Sequence, residues 1–228
     1  MNNRNKFSLK KGISAAALAL AATAFYSCDS SNADDKKLPI FGEREAVEHT
    51  VNGETVVDTV YHQVPAFAFI NQDSQRVTQE TVEGKVYVTD FFFTTCPSIC
   101  PKMKSQMLRV YEAYKDNPQV MLLSHSIDPQ HDTVAVLRDY ADRLGIETDK
   151  WHLVTGERDS IFEIASQYLV AAQEDKSVEG GFVHGGNFIL VDGERHIRGN
   201  YDGTVPEDVD KLIQDIQVLL NEKKHEKK

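Results

Sequence analysis

The chain of 228 residues has little cysteine and no excess of positive charge. Of its three cysteines, Cys28 ends an N-terminal apolar segment, which leaves Cys96 and Cys100 as the thiols of the remaining chain. A closed structural zinc site usually has four protein ligands, so two thiols argue against such a site. The formal net charge of -10 argues against binding to nucleic acid or to an anionic membrane surface.

The sequence also lacks an apolar run long enough to assign as a membrane span, although residues 1–28 include an apolar segment from Ile13 to Tyr26. Basic residues precede this segment and Ser27-Cys28 follows it, which is typical of a secretory signal. A small residue directly before a cysteine resembles the bacterial lipoprotein processing site. We therefore predict that Cys28 is lipidated and becomes the mature N-terminus, with an uncleaved anchor as the alternative. Both interpretations place the rest of the chain outside the cytoplasm.

The chain shows no internal repeat, and its composition divides it into four parts. Residues 1–28 form the predicted signal, and residues 29–45 begin with a polar run that predicts a flexible tether. Residues 46–220 are long enough for one domain with a full core. Residues 221–228 form a charged, solvated tail by the same argument as the tether.

Within the domain, apolar periodicity predicts strands that alternate with helices. Asn52-Gly53 lies between two β-rich runs, so Val47 to Tyr61 is predicted as an N-terminal β-hairpin. Further strands are predicted at 66–70, 86–93, 119–127, 152–155, 188–191 and 196–201, and helices at 100–114, 133–144, 160–169 and 206–220. This alternation predicts an α/β sandwich in which helices flank a central mixed sheet.

Cys96 and Cys100 lie between the nearly all-apolar strand 86–93 and the helix 100–114. Three residues separate the cysteines, a spacing that lets both sulfurs converge on one soft metal ion and also permits redox chemistry. A helix N-terminus favours the thiolate, so we expect a lowered pKa for Cys100 and, to a lesser degree, for Cys96. Thiolate is the form that binds metal or attacks disulfides.

A strand that ends in a cysteine pair capping a helix is the thioredoxin arrangement, and three motifs narrow the resemblance. They are Phe93-Thr94-Thr95-Cys96-Pro97-Ser98-Ile99-Cys100-Pro101, then Ser126-Ile127-Asp128-Pro129 with Asp132-Thr133, and then Phe182-Val183-His184-Gly185-Gly186-Asn187-Phe188. Together they resemble the Sco/SenC family of thioredoxin-like copper chaperones for cytochrome c oxidase. The resemblance implies that Cys96, Cys100 and His184 bind one copper ion. Val183 departs from the family, which often has aspartate at that position.

The resemblance also implies partners and a location. The expected acceptor is the copper-bearing subunit of a cytochrome c oxidase or another copper chaperone. The expected location is the cell envelope, with the domain in the periplasm and a lipid anchor in the membrane. Delivery of copper is the predicted function, and the protein is expected to be a metallochaperone rather than an enzyme.

The residue types at the site support copper independently of the family. Two thiolates and one imidazole form a soft, low-coordinate donor set that suits Cu(I), and a further ligand would allow Cu(II). His125 and His131 are the competing histidines, and we expect both to hold loops by hydrogen bonds. Met103 and Met107 fall on the apolar face of a helix and are expected in the core rather than at a metal.

Asp90 keeps a second function open, because it lies six residues before Cys96 inside an apolar strand. Thioredoxins place an aspartate there as a buried proton relay, and burial would raise its pKa as such a role requires. Alternatively, Asp90 accepts backbone hydrogen bonds at the strand end. The alternative function is a thiol–disulfide reductase or a peroxide-handling protein in which Cys96 attacks and Cys100 resolves the mixed disulfide.

Overall fold

The computed structural model describes residues 37–226 apart from residues 176 and 179. The predicted signal with Cys28, and residues 29–36 of the predicted tether, lie outside this range. In the described residues, no helix is both long enough and apolar enough to cross a membrane.

The elements follow the predicted alternation of strands and helices. In chain order they are β1 (Arg44–Val51), β2 (Glu54–Tyr61), β3 (Ala68–Asn71), β4 (Arg76–Thr78), α1 (Gln79–Val82), β5 (Val86–Phe92), α2 (Cys100–Tyr114), β6 (Val120–Ser126), α3 (Val134–Leu144), β7 (Trp151–Thr155), α4 (Arg158–Gln167), β8 (Ala172–Glu174), β9 (Phe182–His184), β10 (Asn187–Val191), β11 (Ile197–Asp202) and α5 (Pro206–Glu226).

Seven strands form the central sheet in the order β11-β10-β5-β6-β7-β3-β4. The pairs β5–β6 and β6–β7 are parallel, whereas β10 and β11 pair antiparallel at one edge and β3 and β4 at the other. All seven residues of β5 and all seven of β6 are buried, as expected of strands covered on both faces, and apolar residues make up most of β5 and the first four positions of β6. The predicted mixed α/β sheet is therefore confirmed.

Helix α2 packs its apolar face against this sheet and thereby fixes the position of its first turn. Met103, Met107 and Val110 are buried, as the helical spacing predicts. The two methionines belong to the hydrophobic core, so their predicted role in packing is confirmed.

Four short elements were not predicted, namely β4, α1, β8 and β9. Strands β8 and β9 have three residues each and pair antiparallel as a separate two-stranded sheet. Three residues are too few to show a periodicity of two, so the sequence predicts no strand around His184.

The N-terminal hairpin of β1 and β2 has the predicted turn. Asn52 and Gly53 have φ angles of 55° and 88°, the left-handed values that a tight two-residue hairpin turn requires. Val51 and Glu54 close the ladder on either side of it. Every residue of the two strands is exposed except Tyr61, which is half-buried.

The chain that precedes the hairpin is held to the domain from Leu38 onward. Arg198 donates hydrogen bonds to the carbonyl oxygens of Leu38 (2.7 Å) and Pro39 (3.1 Å), and the Leu38 amide donates to Glu222 (2.8 Å). Arg198 also forms ion pairs with Asp192 (2.9 Å) and Glu222 (2.7 Å), and all three side chains are largely buried. Residues 38–45 of the expected tether and residues 221–226 of the expected tail therefore belong to the folded domain.

Candidate metal centre

Cys96 and Cys100 are positioned by the end of β5 and the start of α2. Phe93, directly after β5, is buried, and its carbonyl oxygen accepts a hydrogen bond from the Cys96 amide at 3.2 Å. Pro101 occupies the first turn of α2, where a missing amide hydrogen costs nothing. Cys100 is consequently buried, with 4% of its surface exposed, while Cys96 is only partly covered.

His184 reaches the thiols from the end of β9. It pairs with Ala172 of β8, and the amide of Gly185 donates to the carbonyl oxygen of Ala171 at 2.9 Å. The Phe93 ring lies edge-on to the imidazole at 6.0 Å between centroids. His184 is therefore held by strand pairing and by an aromatic contact, and its side chain is 9% exposed.

The hydrogen bonds of His184 fix which ring nitrogen faces the thiols. Nδ1 lies 3.1 Å from the Gly185 carbonyl oxygen, which can only accept, so Nδ1 carries the proton. Nε2 is then an unprotonated acceptor and lies 3.3 Å from the Cys100 sulfur. Burial lowers the pKa of His184, against the opposing effect of the Gly185 hydrogen bond, and keeps the ring neutral. A neutral imidazole whose second nitrogen is hydrogen-bonded is the form that ligates metals.

The three candidate ligand atoms converge, as the sequence motifs imply. The sulfurs of Cys96 and Cys100 and a ring nitrogen of His184 all lie within 4.8 Å of one another. Ligand bonds of about 2.0–2.3 Å in a trigonal plane would place such atoms about 4 Å apart. Two sulfurs and one imidazole nitrogen at this spacing fit a soft ion such as Cu(I) after small side-chain adjustments.

The two thiols differ in acidity, and the difference is the reverse of the expected one. Burial raises the pKa of Cys100, and the neighbouring Cys96 raises it further, so the prediction of a lowered pKa at Cys100 is wrong. Burial also acts to raise the pKa of Cys96, but hydrogen bonds from Cys100 and Ser98 outweigh it and the net shift is downward. The helix N-terminus cannot offset the desolvation of a side chain as covered as Cys100.

Asp90 lies in the middle of the buried strand β5 and is 5% exposed. Its carboxylate accepts a hydrogen bond from the Ser124 hydroxyl, rather than from a backbone amide, and Trp151 donates to the same hydroxyl oxygen at 2.9 Å. Burial raises the pKa of Asp90 to about 7, although the Ser124 hydrogen bond opposes the shift. Asp90 and Cys100 both line a cavity of about 10 Å³, the size of a single water.

The competing histidines lie outside the ligand group. His131 Nδ1 is 3.1 Å from a carboxylate oxygen of the adjacent Asp132, so this ring has a hydrogen-bond partner away from the thiols, and its role in holding a loop stays a prediction. His125 is completely buried and stacks on Phe91 at 5.0 Å, and in the part of the chain that the structure describes neither ring nitrogen has a hydrogen-bond partner. The expectation that His125 holds a loop by hydrogen bonds is therefore wrong, because its strand position points the ring into an aromatic layer.

The buried side chain of Asp132 supports the cysteine loop, the segment that runs from Phe93 to Cys100, and the sequence does not predict this role. Its carboxylate is fully buried and accepts hydrogen bonds from the Thr94 amide (3.0 Å), the Thr94 hydroxyl (2.5 Å) and the Ser126 hydroxyl (2.6 Å). Thr94 lies two residues before Cys96, so Asp132 ties the cysteine loop to the end of β6. Asp128-Pro129 with Asp132-Thr133 is a turn and helix-cap signal, and the cap is confirmed at Thr133, whose hydroxyl accepts a hydrogen bond from the Val136 amide in the first turn of α3.

An apolar groove of about 300 Å³ opens beside the ligands. Its walls include Phe93, Ile99, Phe182 and Val183, and Cys96 and His184 also line it. Val183 is 41% exposed. The partly exposed Cys96 can therefore be reached from solvent or by another protein, whereas Cys100 is buried and does not line the groove.

These features define a thioredoxin-like α/β protein in which two cysteines and one histidine that could hold a metal ion meet at one end of the sheet. The SCO1/SenC family model matches residues 58–221. The chain is 30% identical over 167 residues to the SCO1 protein homolog of Bacillus subtilis, covering 72% of this chain and 86% of the relative. The protein therefore belongs to the SCO1/SenC family.

Solved structures agree with this assignment. A SCO1/SenC family lipoprotein from Bacillus anthracis aligns with a TM-score of 0.64 and 27% identity, covering 69% of this chain and 95% of the other. BsSco, described as a member of the Sco family of cytochrome c oxidase assembly proteins with a disulfide switch, aligns with a TM-score of 0.61 and 29% identity. The alignment covers 69% of this chain and 93% of BsSco. Arabidopsis thaliana ScoI with copper bound aligns with a TM-score of 0.57 and 25% identity, covering 67% of this chain and 97% of the other.

Proposed function

We propose that this protein is an extracytoplasmic copper chaperone that binds one copper ion through Cys96, Cys100 and His184 and delivers it during assembly of cytochrome c oxidase. The observation that carries the proposal is the unprotonated Nε2 of His184, held toward both sulfurs by the Nδ1 contact with Gly185. The copper-bound structure of Arabidopsis ScoI supports copper as the cargo. Sco proteins are involved in cytochrome c oxidase assembly, which supports an acceptor of that kind.

Copper loading depends on the redox state of the cysteine pair. A Cys96–Cys100 disulfide would remove both anionic ligands at once, so only the reduced protein is expected to load copper. The asymmetry of the two thiols suits release as well as loading. Cys96, at the groove, can be approached by a ligand of the acceptor first, while Cys100 and His184 still hold the ion.

The acceptor is the copper-bearing subunit of the oxidase or a second copper chaperone. The apolar groove beside Cys96 is where such a partner would approach the ion. We further propose that Cys28 is lipidated and holds the domain at the membrane on its periplasmic side. The Bacillus anthracis relative is a lipoprotein, which supports an anchor of this type.

A competition titration tests the ligand set. Reduced protein, its oxidised form and the His184→Ala and Cys96→Ser variants are titrated with Cu(I) against a chromogenic chelator. We expect one tightly bound ion in the reduced protein, none in the oxidised protein, and a large loss in both variants. His131→Ala serves as the control, because this ring lies outside the ligand group. Unchanged affinity in His184→Ala would show that the ligand assignment is wrong.

A second candidate function, thiol–disulfide reduction, is favoured by the opposite pKa shifts of the two thiols. In this reaction the Cys96 thiolate attacks a substrate disulfide, forms a mixed disulfide and releases one substrate thiolate. Cys100 then loses its proton, attacks the Cys96 sulfur and releases the second thiolate. The substrate gains two electrons, and the protein is left with a Cys96–Cys100 disulfide. Asp90, with its pKa near 7, is a candidate acceptor for the Cys100 proton.

Asp90→Asn separates the two candidates. We expect this variant to slow reduction of a model disulfide, whereas its Cu(I) affinity stays within about threefold of wild type because Asp90 is not a ligand. If wild-type protein reduces disulfides rapidly and binds copper only loosely, reduction is the function. If the folded variant loses copper, Asp90 instead supports the ligands.

A further inference from the structure

The β1–β2 hairpin is an exposed element for which neither the fold nor the metal centre has a use. All five of its valines are more than a third exposed. The SCO1/SenC family match begins at residue 58, so β1 and half of β2 precede the region shared with the family. An isolated two-stranded hairpin is at best marginally stable in water, so a ribbon of this length gains from being covered.

The two faces of the hairpin differ sharply in composition. One face, here called the valine face, carries Val47, Val51, Val56 and Val60, each directly opposite a polar residue of the other strand. The other face carries mostly small or hydroxyl side chains, with the exposed Val57 as its one valine. The apolar surface is therefore collected on one side, as expected of a binding face and not of a spacer.

The charges of the hairpin are also unequal. Glu45, Glu54 and Asp58 all lie on the valine face, which has no lysine or arginine. Its remaining polar residue is His49, whose Nε2 lies 3.5 Å from Asp58. On the opposite face the charges of Arg44 and Glu48 cancel. If the acidic residues served only to keep the hairpin soluble, they would be expected on both faces. Instead, the net charge of the opposite face is zero.

This charge pattern excludes two occupants and favours a third. A second copy of the chain would bring the same three acids against themselves, and an anionic membrane would repel them. A partner with lysine or arginine around an apolar patch would cover the valines and pair the carboxylates. Since the whole chain has a formal charge of -10, its long-range field also draws such a partner.

The base of the hairpin, where β1 begins, lies at the opposite end of the sheet from the cysteines and His184. Phe41, just before β1, bridges to Ile197, which pairs with Val191 of β10, and Val191 pairs with Tyr87 at the start of β5. The cysteines follow the other end of β5. A protein bound to the valine face would therefore leave the groove beside Cys96 open.

We propose that the valine face binds a basic partner protein, separately from the exchange of metal at Cys96. The two sites would let the chain stay docked through its hairpin while the metal end remains free to meet an acceptor. This inference does not depend on copper delivery as the function, because it rests on the hairpin alone.

Site-specific photocrosslinking in cells that make the protein tests the proposal. A benzophenone amino acid is placed at Val56, on the valine face, or at Val57, its neighbour on the opposite face, in the full-length chain. We expect Val56 to give a discrete product with another protein, at least about tenfold stronger than Val57, and a basic segment at the crosslinked site. The double variant Glu54→Lys, Asp58→Lys is expected to reduce this product about tenfold or more. Circular dichroism and thermal unfolding of the double variant, compared with wild type, report that it is folded.

Several outcomes would overturn the proposal. Equal products at Val56 and Val57 would show that the valine face is not selective. A product of twice the chain's own mass would identify a second copy as the occupant, and a lipid adduct would identify the membrane. A product that survives the charge reversal, or the absence of any product, would equally refute a basic partner.

Discussion

His184 and His125 are both buried histidines, and they lie in regions that treat the imidazole differently. Around His184, a backbone carbonyl oxygen accepts a hydrogen bond from one ring nitrogen and a thiol lies beside the other. Around His125 lie the rings of Phe67, Phe69, Phe91 and Tyr168, and neither nitrogen has a hydrogen-bond partner among the described residues. Burial alone therefore does not make a metal ligand, because the ring also needs a hydrogen bond that fixes the tautomer and a second donor atom within reach.

The largest expected effect separates the two regions by copper binding. Cys100→Ser and His184→Ala remove a ligand, so we expect each to lower Cu(I) affinity by more than about 100-fold in a chelator competition. His125→Phe keeps a flat ring in the aromatic layer and is expected to retain wild-type affinity. A copper loss in folded His125→Phe would break the comparison, since it would couple the aromatic layer to the metal centre.

Acid is expected to weaken the protein through His125. Burial lowers the pKa of His125 to about 3, whereas the unfolded chain binds a proton near 6.5. Below pH 6.5 the unfolded state therefore holds more protons, and stability is lost as pH falls from about 6.5 toward 3, by up to about 1.4 kcal/mol per pH unit. Urea unfolding of wild type and His125→Phe across this pH range measures the contribution of His125 to the unfolding free energy.

Subtraction of the two pH profiles is needed because other groups titrate in the same window. Burial lowers the pKa of His152 to about 4, which adds to the acid sensitivity. The raised pKa of Asp90 acts in the opposite direction, since its stabilisation is lost as pH rises toward about 7. Parallel profiles for wild type and His125→Phe would contradict the assignment to His125.

At neutral pH a smaller difference is expected between the same two proteins. His125→Phe removes two polar atoms that have no partner and keeps the stacking on Phe91, so we expect a gain of about 1–3 kcal/mol in unfolding free energy. Thermal unfolding would then shift upward by about 2–4 °C per kcal/mol. A loss of stability would mean that the ring nitrogens do have partners, such as buried water.

The smallest effect is expected at a third histidine, which is exposed. His131→Ala breaks a contact with Asp132, but the Asp132 carboxylate keeps its hydrogen bonds from Thr94 and Ser126. We expect a stability change below about 1 kcal/mol and a Cu(I) affinity within about threefold of wild type. A larger loss of copper would show that the imidazole takes part in holding the Cys96 loop.

Much of this molecule was predictable from local pattern. The buried strand β5, the apolar face of α2 and the Asn52-Gly53 turn each carry a periodicity or a turn signal long enough to recognise. Strands β8 and β9 carry no such signal, because three residues are too few to show a periodicity. Their pairing is set by tertiary contacts. The motifs identified the candidate ligands, but the orientation of His184 comes from Gly185 and could not be predicted.

The errors at the site have a common physical cause. Cys100 was expected to be acidic from its place at a helix N-terminus, and His125 was expected to form hydrogen bonds from its place between two serines. In both cases the depth of burial decides the chemistry, and one sequence without a fold does not report depth. The hydrogen bonds by which Asp132 supports the cysteine loop were not predictable either, since its partner Thr94 lies 38 residues away.

The contact of Leu38 with Arg198 and Glu222 has a consequence for how far the domain can search. Leu38 lies ten positions after Cys28, so a lipid on Cys28 would leave a connection of at most about 33–36 Å. The domain would then stay within roughly its own diameter of the bilayer. Confinement to so thin a layer raises the effective concentration of membrane-bound acceptors, so the exchange of cargo would not require a high affinity between the two proteins.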